Sequence, residues 1–310
     1  MASDSATTTP VRRAGVLRRL SRSESVVGWT FVTPATLLVG IFGLLPILWS
    51  LVLSFQKSDL LTPSTPWVGL TNYRQMASDP TFRLAIGHTV VYTALFVPAT
   101  MLVGLLVAVA LNHKVRGVSI YRTAAYVTMA VSTINEAIIF MWLFEPSFGV
   151  VNWVLAELHL PQQQWLSNPD QALYVIVVMT VWGWTGFAVV IYLAGLQGVP
   201  QELLDAAAID GAKPFASFRT ITLPLLSPAS LFLAIWLSIN ALQLFDEVYL
   251  TTRGGPLHST TVVVYYLFDQ AFQQFSAGYA AALAYALFLV ILVITYIQFR
   301  VGRRFVHYSR

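Results

Sequence analysis

Along this chain apolar residues do not alternate with polar ones; they run in six long blocks. A helix crossing a bilayer needs roughly 20 mostly apolar residues, and blocks of that length predict spans at 28–55, 85–112, 120–144, 172–196, 226–250 and 278–299. Pro34, Pro46, Pro98, Gly183 and Gly186 fall inside them. Membrane helices tolerate such residues because neighbouring helices and Ser/Thr side chains re-satisfy the freed backbone groups. Ahead of the first block, residues 1–10 are small and polar, and the arginine-rich stretch to Arg22 either anchors the first span or forms an amphipathic surface helix. The first block is too long for a cleaved leader and lacks a small-residue cleavage site, so it reads as an uncleaved anchor. No tandem repeat or low-complexity linker interrupts the pattern. The prediction is an all-α polytopic membrane protein with six spans in one domain, 28–305, between a basic tail at 1–27 and a short tail at 306–310.

Composition agrees. The 310 residues are 56% hydrophobic and 10% charged, where a soluble domain carries about 25% charged residues. This excludes a disordered chain, a collagen-like fibre and a disulfide-stapled secreted domain. The absence of cysteine removes thiolate zinc sites, iron–sulfur clusters and thiol catalysis. A net charge of +4 would suggest nucleic acid in a soluble protein, but here the placement of charge reads as topology. Fourteen of the 18 basic residues fall in the N-terminal tail (Arg12, Arg13, Arg18, Arg19, Arg22), after span two (Lys114, Arg116, Arg122), after span four (Lys213, Arg219) and at the C-terminus (Arg300, Arg303, Arg304, Arg310). The opposite face holds Lys57, Arg74, Arg83 and Arg253. The positive-inside rule then puts both termini in the cytoplasm, so the chain is multi-pass with N-in/C-in topology.

Familiar catalytic patterns are missing. No lysine follows a glycine, which excludes the phosphate-cradling G-x-x-x-x-G-K-[ST] loop. The five histidines show no H-E-x-x-H spacing, no G-x-S-x-G elbow occurs, and Gly254-Gly255-Pro256 reads as a turn. If the chain's work consumes energy, another polypeptide hydrolyses the nucleotide.

The most informative segment is 198–228, GVPQELLDAAAIDGAKPFASFRTITLPLLSP. Pro200 suits a first helical position and Glu202 the positive end of the helix dipole. Gly211 can take positive φ and end that helix, and Pro214 can start the next. Leu223-Pro224 is expected to break the second helix before span five. Ala206, Ala207 and Ala208 leave a surface that another protein can approach closely. A plain connection would need none of this.

This segment resembles the cytoplasmic loop of ABC-importer permeases, E-A-A, three residues, G, nine residues, I-x-L-P. It matches at Ala206, Ala207, Gly211, Ile221, Leu223 and Pro224, with Asp205 in place of the glutamate. The I-D-G-A stretch Ile209 to Ala212, Arg219, VGLTNY at 68–73, DPTF at 79–82, LAGLQGVP before the loop and LFDEVYLTTRGGP at 244–256 resemble the carbohydrate-uptake branch, alongside maltose-type and glycerol-3-phosphate-type permeases. The resemblance covers about residues 28–305 and implies a type I importer fold. In such a fold two permeases, usually a heterodimer, form the pathway in a prokaryotic inner membrane. Two ATP-binding subunits use ATP and Mg on the cytoplasmic side, and an extracytoplasmic binding protein delivers the solute. This chain itself would bind no cofactor, metal or nucleic acid. The coupling loop, 198–224, would carry Glu202, Asp205, Ala206, Ala207, Asp210, Gly211, Ile221, Leu223 and Pro224 to the ATPase. The solute that the resemblance implies is a sugar or a glycerol-phosphate type (sn-glycerol 3-phosphate or a glycerophosphodiester).

Polar residues inside spans are functional candidates. Asn135 and Glu136 sit near the middle of predicted span three, Asn240 and Gln243 in span five, and Asp246 and Glu247 near its end. Glu136 needs a partner, a proton or water; it either bonds a neighbouring helix or lines the solute path. Asp246 falls on the branch's F-D position, which points to shaping a gate. Asn240 and Gln243, three apart, share a helical face that lines a path or meets the second permease. Trp182 and Trp184 stand apart from the interfacial tryptophans by their mid-span position. A secondary, ion-coupled transporter is the alternative: Glu136 would suit it, the loop at 198–228 would not. An intramembrane enzyme lacks any nucleophile or metal constellation.

The topology is testable because the chain has no native cysteine. Cysteines at Gln201 or Lys213 are expected to react with impermeant thiol reagents only from the cytoplasmic face, and at Gln163 or His258 only from outside. The opposite pattern inverts the topology.

Overall fold

The computed structural model describes residues 24–59, 61, 64–112 and 117–305. Arg12 to Arg22, Lys114, Arg116 and Arg310, which carry part of the charge asymmetry, lie outside the described residues. Among those described, the only extended pairing is one antiparallel bridge, Gln56–Trp67. Four helices are long and apolar enough to cross a bilayer: Gly28–Ser54, Pro80–Leu111, Ala172–Gln197 and Ala277–Arg303. Two bent pairs make the count six if each is one span: Ser119–Ala130 with Thr133–Leu143, bent 101°, and Pro214–Leu225 with Ser227–Leu242, bent 62°.

The chain forms two compact units, divided between Val52 and Leu53. In the first, α1 (Glu24–Leu38) passes through a π-helical stretch, Val39–Leu44, into α2 (Leu45–Ser54). Among residues 28–52 none is buried. The widened stretch ends two residues before Pro46. A proline ring clashes with the carbonyl four residues back, and a wider turn relieves that clash. The same device recurs in the second unit, where Phe218–Thr222 is π-helical ahead of Pro224. Pro224 therefore does not break the helix as the sequence suggested; the bend falls after it, at Leu226.

The second unit contains α3 (Thr71–Ser78), α4 (Pro80–Leu111), α5 (Val118–Ala130), α6 (Thr133–Leu143), α7 (Val150–Glu157), α8 (Ala172–Gln197), α9 (Gln201–Ile209), α10 (Pro214–Ser217), α11 (Leu223–Leu225), α12 (Ser227–Leu242), α13 (Asp246–Thr251), α14 (Val263–Phe268) and α15 (Ala277–Phe305). Its centre is the α4–α8 pair. The buried residues of α4 recur every three or four positions, Ala85, Thr89, Tyr92, Phe96, Thr100, Gly104 and Ala108, and so form one face. Five of these seven are small. In a bilayer the surrounding lipid is as apolar as the helix, so close packing of small residues replaces the hydrophobic drive. At Gly104 the approach is closest: a Cβ there would collide with Ala188 Cβ.

Two predicted spans are not continuous helices. Span three breaks at Val131, whose backbone is extended, and restarts at Ser132, which N-caps α6. Span five ends as α12 at Leu242; Gln243 to Phe245 leave the helix and α13 begins at Asp246. Both breaks escape a hydropathy reading because apolar residues flank them on each side.

The N-terminal end of α4 is clamped to the last part of the chain. Asp79 caps α4 by accepting from the Thr81 and Phe82 amides at 2.9 and 3.2 Å. Its other oxygen accepts from the Tyr266 and Tyr279 hydroxyls at 2.5 and 2.6 Å. Between two and three turns further on, His88 Nδ1 pairs with the Thr261 carbonyl at 3.0 Å and Thr89 Oγ1 accepts from the Val263 amide at 3.1 Å. Burial raises the Asp79 carboxyl, but the hydrogen bonds from the two tyrosines and the two amides outweigh it and hold it below its ordinary value. In the connection before α8, Asn152 has its amide fully used: Nδ2 donates to the Pro146 and Gln163 carbonyls, and Oδ1 accepts from the Gln163 amide and the Trp165 indole.

Two predictions follow from this packing. Gly104→Val is expected to destabilise the chain by about 1–3 kcal/mol through overpacking, whereas Gly87→Ala, where a Cβ meets nothing within 4 Å, should be neutral or stabilising by up to about 1 kcal/mol. Thermal unfolding of the purified chain in detergent distinguishes them; equal effects would contradict the close α4–α8 contact. For Asp79, the folded value lies below the unfolded one, so its contribution is complete at neutral pH and is lost as pH falls through the folded value. Asp79→Asn should therefore lower stability by on the order of 1 kcal/mol at pH 7, with the gap to the parent closing below the usual carboxylate range. A gap that widens on acidification would refute the assignment.

Candidate functional site

The two broken helices border one cavity of about 470 Å³. The α5–α6 break contributes Val131 and Thr133, with Glu136 in the first turn of α6; the α12–α13 break contributes Gln243 to Phe245, with Asp246 and Glu247 opening α13. α13 packs directly on α6. Behind them α8 supplies Gly183, Trp184 and Phe187, and α4 supplies Tyr92 and Phe96. The polar groups converge here for a local reason. A helix start exposes unpaired amides, and residues that serve such ends are polar. Ser132 does so at α6, where it accepts from the Asn135 amide, and Glu136, Asp246 and Glu247 lie in the first turns of α6 and α13, at the positive ends of the helix dipoles.

Of the path candidates, Glu136, Asn240, Gln243 and Asp246 all line this cavity. Asn135 does not: it is exposed, and its backbone amide meets Ser132 Oγ at 3.5 Å. Glu136 is buried, 6% exposed, against the Cβ-less side of Gly183, where an added Cβ would stand 2.5 Å from its carboxylate. The expected common helical face of Asn240 and Gln243 is replaced by a different geometry. Asn240 lies in the last turn of α12 and donates from Nδ2 to the Trp236 carbonyl at 2.8 Å, while Gln243 follows the helix as its C-cap. Sequence reasoning gave no path role to Glu247, Tyr92 or Gly183. The available signals were the doublet Asp246-Glu247 and a glycine beside Trp184 in mid-span. Trp184 lines the cavity; Trp182 lies instead against Phe140, ring centroids 5.7 Å apart.

The loop 198–224 forms a helix, a turn and a second helical run. Pro200 is the N-cap of α9 and not its first helical residue, with extended ψ of 125°. Gln201 Nε2 donates to Asp205 Oδ1 at 3.0 Å one turn on. At the far end the Gly211 amide bonds the Ala208 carbonyl and the Ala212 amide the Ala207 carbonyl. That pair is a Schellman closure, which needs a left-handed residue, and Gly211 provides it at φ +80°. Pro214 opens α10 as expected. Glu202, Asp205, Ala206, Asp210 and Gly211 are exposed and Ala207 half-buried; Ile221 and Pro224 are half-buried and Leu223 exposed, at the base of α12. Apolar side chains are left uncovered here, Ile209 at 87% and Phe215 at 74% exposure.

Comparison with known proteins places this geometry. The family described as "Binding-protein-dependent transport system inner membrane component" matches residues 100–307. The trehalose/maltose transport system permease protein MalF of Thermococcus litoralis is 33% identical over 285 residues, 92% of this chain and 96% of its own. The sn-glycerol-3-phosphate transport system permease protein UgpA of Yersinia pestis is 32% identical over 291 residues, 93% of this chain and 97% of its own. In fold, the chain is similar to a subunit of a bacterial alginate ABC transporter solved with its alginate pentasaccharide-bound periplasmic protein, with a TM-score of 0.82 at 21% identity over 93% of this chain and 97% of that one. With broken helices around a cavity, an uncovered helix–turn–helix and these relatives, the chain belongs to the binding-protein-dependent ABC transporter permeases, inner-membrane components that are not themselves enzymes.

Proposed function

We propose that this chain is one of two permease subunits of an ATP-driven importer for a sugar or a glycerol-phosphate-type solute. Both termini lie in the cytoplasm, each bent pair counts as one of six spans, and the chain sits in a prokaryotic inner membrane. The observation that carries the reading is α9 with its turn and α10, whose apolar residues Leu203, Ile209 and Phe215 remain exposed in the chain. A helix closed at its C-terminal turn yet uncovered on its apolar side is built to meet another protein. In this reading it meets an ATP-binding subunit, and ATP with Mg is used there. The named substrates of the relatives, trehalose or maltose for one and glycerol 3-phosphate for the other, support the solute class. The alginate transporter's periplasmic protein supports delivery by a binding protein.

Transport would then proceed by a body motion. Nucleotide-driven closure moves α9, and the helical run from Pro214 to Leu225 passes that displacement to α12, which ends at the cavity. Packed elements move between discrete arrangements and not by continuous deformation. The solute passes Glu136, Asn240, Gln243 and Asp246.

The turn provides the test. A Cβ at Gly211 meets no atom within 4 Å, so substitution there acts through backbone strain of about 1–2 kcal/mol and not through crowding. Gly211→Leu is expected to reduce solute-stimulated ATP hydrolysis and co-purification of the ATPase severalfold. Gly211→Asn, which tolerates the left-handed region better, should retain most of both. Unchanged coupling in Gly211→Leu would refute the proposal.

A further inference from the structure

The proposed function leaves a sugar and a phosphorylated glycerol both admissible; the cavity lining separates them. Its titratable residues are Glu136, Asp246, Glu247 and Tyr92, all acids, and among the described residues bordering it there is no lysine, arginine or histidine. Glu136 is more than nine-tenths buried and faces the cavity, yet its Oε1 accepts no hydrogen bond. A carboxylate oxygen withdrawn from water without a donor is costly, and the space in front of it is where a donor can be supplied. Asn240 commits one Nδ2 hydrogen to the Trp236 carbonyl, which leaves its amide oxygen as an acceptor beside one remaining N–H. The remaining wall is aromatic: Trp184 stands edge-on to Phe187 at 5.8 Å, and Phe187 lies 6.1 Å from Trp236.

Acceptors on one side and ring faces on the other suit a molecule that is rich in O–H donors and presents C–H faces. An anion finds only neutral donors, such as the Gln243 amide and the Thr133 hydroxyl, and no cation to offset three carboxyl groups, whereas a phosphate is recognised by cations together with N–H donors. Protonating one carboxyl removes a charge but adds no cation. On the translocation role proposed above, we infer that this cavity admits an uncharged polyhydroxylated solute and rejects phosphate- and carboxylate-bearing ones, with Glu136 and Glu247 as the selecting groups. The space, about 470 Å³, falls in the range of small-molecule sites.

The experiment uses the assembled transporter with its partner subunits' cysteines removed and Gln243→Cys as the reporter, since Gln243 is exposed on the cavity. Its modification rate is measured with a cationic and an anionic methanethiosulfonate, each scaled to a free thiol, alone and with trehalose, lactose or sn-glycerol 3-phosphate. The cationic reagent should be favoured by at least about tenfold, as in a cleft of one charge sign. A neutral disaccharide should slow labelling, and glycerol 3-phosphate at the same concentration should not. Glu136→Gln combined with Glu247→Gln should bring the reagent ratio close to that of the free thiol. No preference for the cation, or protection by glycerol 3-phosphate equal to that by the disaccharides, overturns the inference while leaving the permease reading intact. Protection by none of the three solutes overturns the path role of the cavity, and the inference with it. If the double variant fails to assemble, the parental ratio and the protection pattern decide the matter.

Discussion

Backbone N–H and C=O groups in an apolar phase must be paired, and the interrupted and widened helices among the described residues answer to that constraint. Inside a bilayer, non-helical backbone is tolerated only where it is buried in protein or lines a wet cavity. The stretches around Val131 and from Gln243 to Phe245 are the two places where predicted spans lose their helix, and both border the same space. The cavity is therefore the site at which the fold can interrupt its helices, and acidic residues in the first turns after those interruptions become part of the lining. At the two prolines Pro46 and Pro224 the chain follows another route, widening one turn instead of opening it. Where no cavity is available, the helix bends its rules without exposing a carbonyl.

The rigid side of the unit is the α4–α8 pair. Small residues let the two backbones approach, and Gly183, Gly186 and Gly195 of α8 sit against Glu136, Thr128 and Leu226 respectively. One helix thus packs on three different neighbours through positions that carry no side chain. Such a helix is a frame against which others register, and the broken segments α6 and α13 stand in front of it. The division places the acidic residues of the cavity on interrupted, redirected elements and the residues that keep the shape on an uninterrupted one.

Much of this was legible from sequence. The lengths of α4, α8 and α15 follow from hydropathy alone because their apolar runs are unbroken, and the loop at 198–228 announced its turn through Gly211 and its second helix through Pro214. The break before α6 was not seen, although Ser132 followed by Asn135 and Glu136 has the spacing of a helix start. Apolar residues on both sides kept the block continuous to a hydropathy reading, and a capping signal inside such a block is easily taken for a polar face. Glu247 was noticed but given no role, because only the fold of α13 back onto α6 brings it to Glu136's cavity. The Asp79 clamp was harder still. DPTF at 79–82 stood out by resemblance, but the tyrosines that complete it lie 187 and 200 residues further on. No local pattern encodes a contact of that separation.

That separation has a consequence for biogenesis. A membrane chain is threaded from its N-terminus at a few residues per second, and α4 enters the bilayer long before α14 and α15 exist. Until Tyr266 and Tyr279 have been synthesised, the free oxygen of Asp79 faces solvent or lipid headgroups, and the leading end of α4 is held by its own cap alone. The clamp thus closes only on a nearly complete chain. It distinguishes a finished subunit from a truncated one at the very end of insertion, when the last helix comes to rest beside the first one of the core.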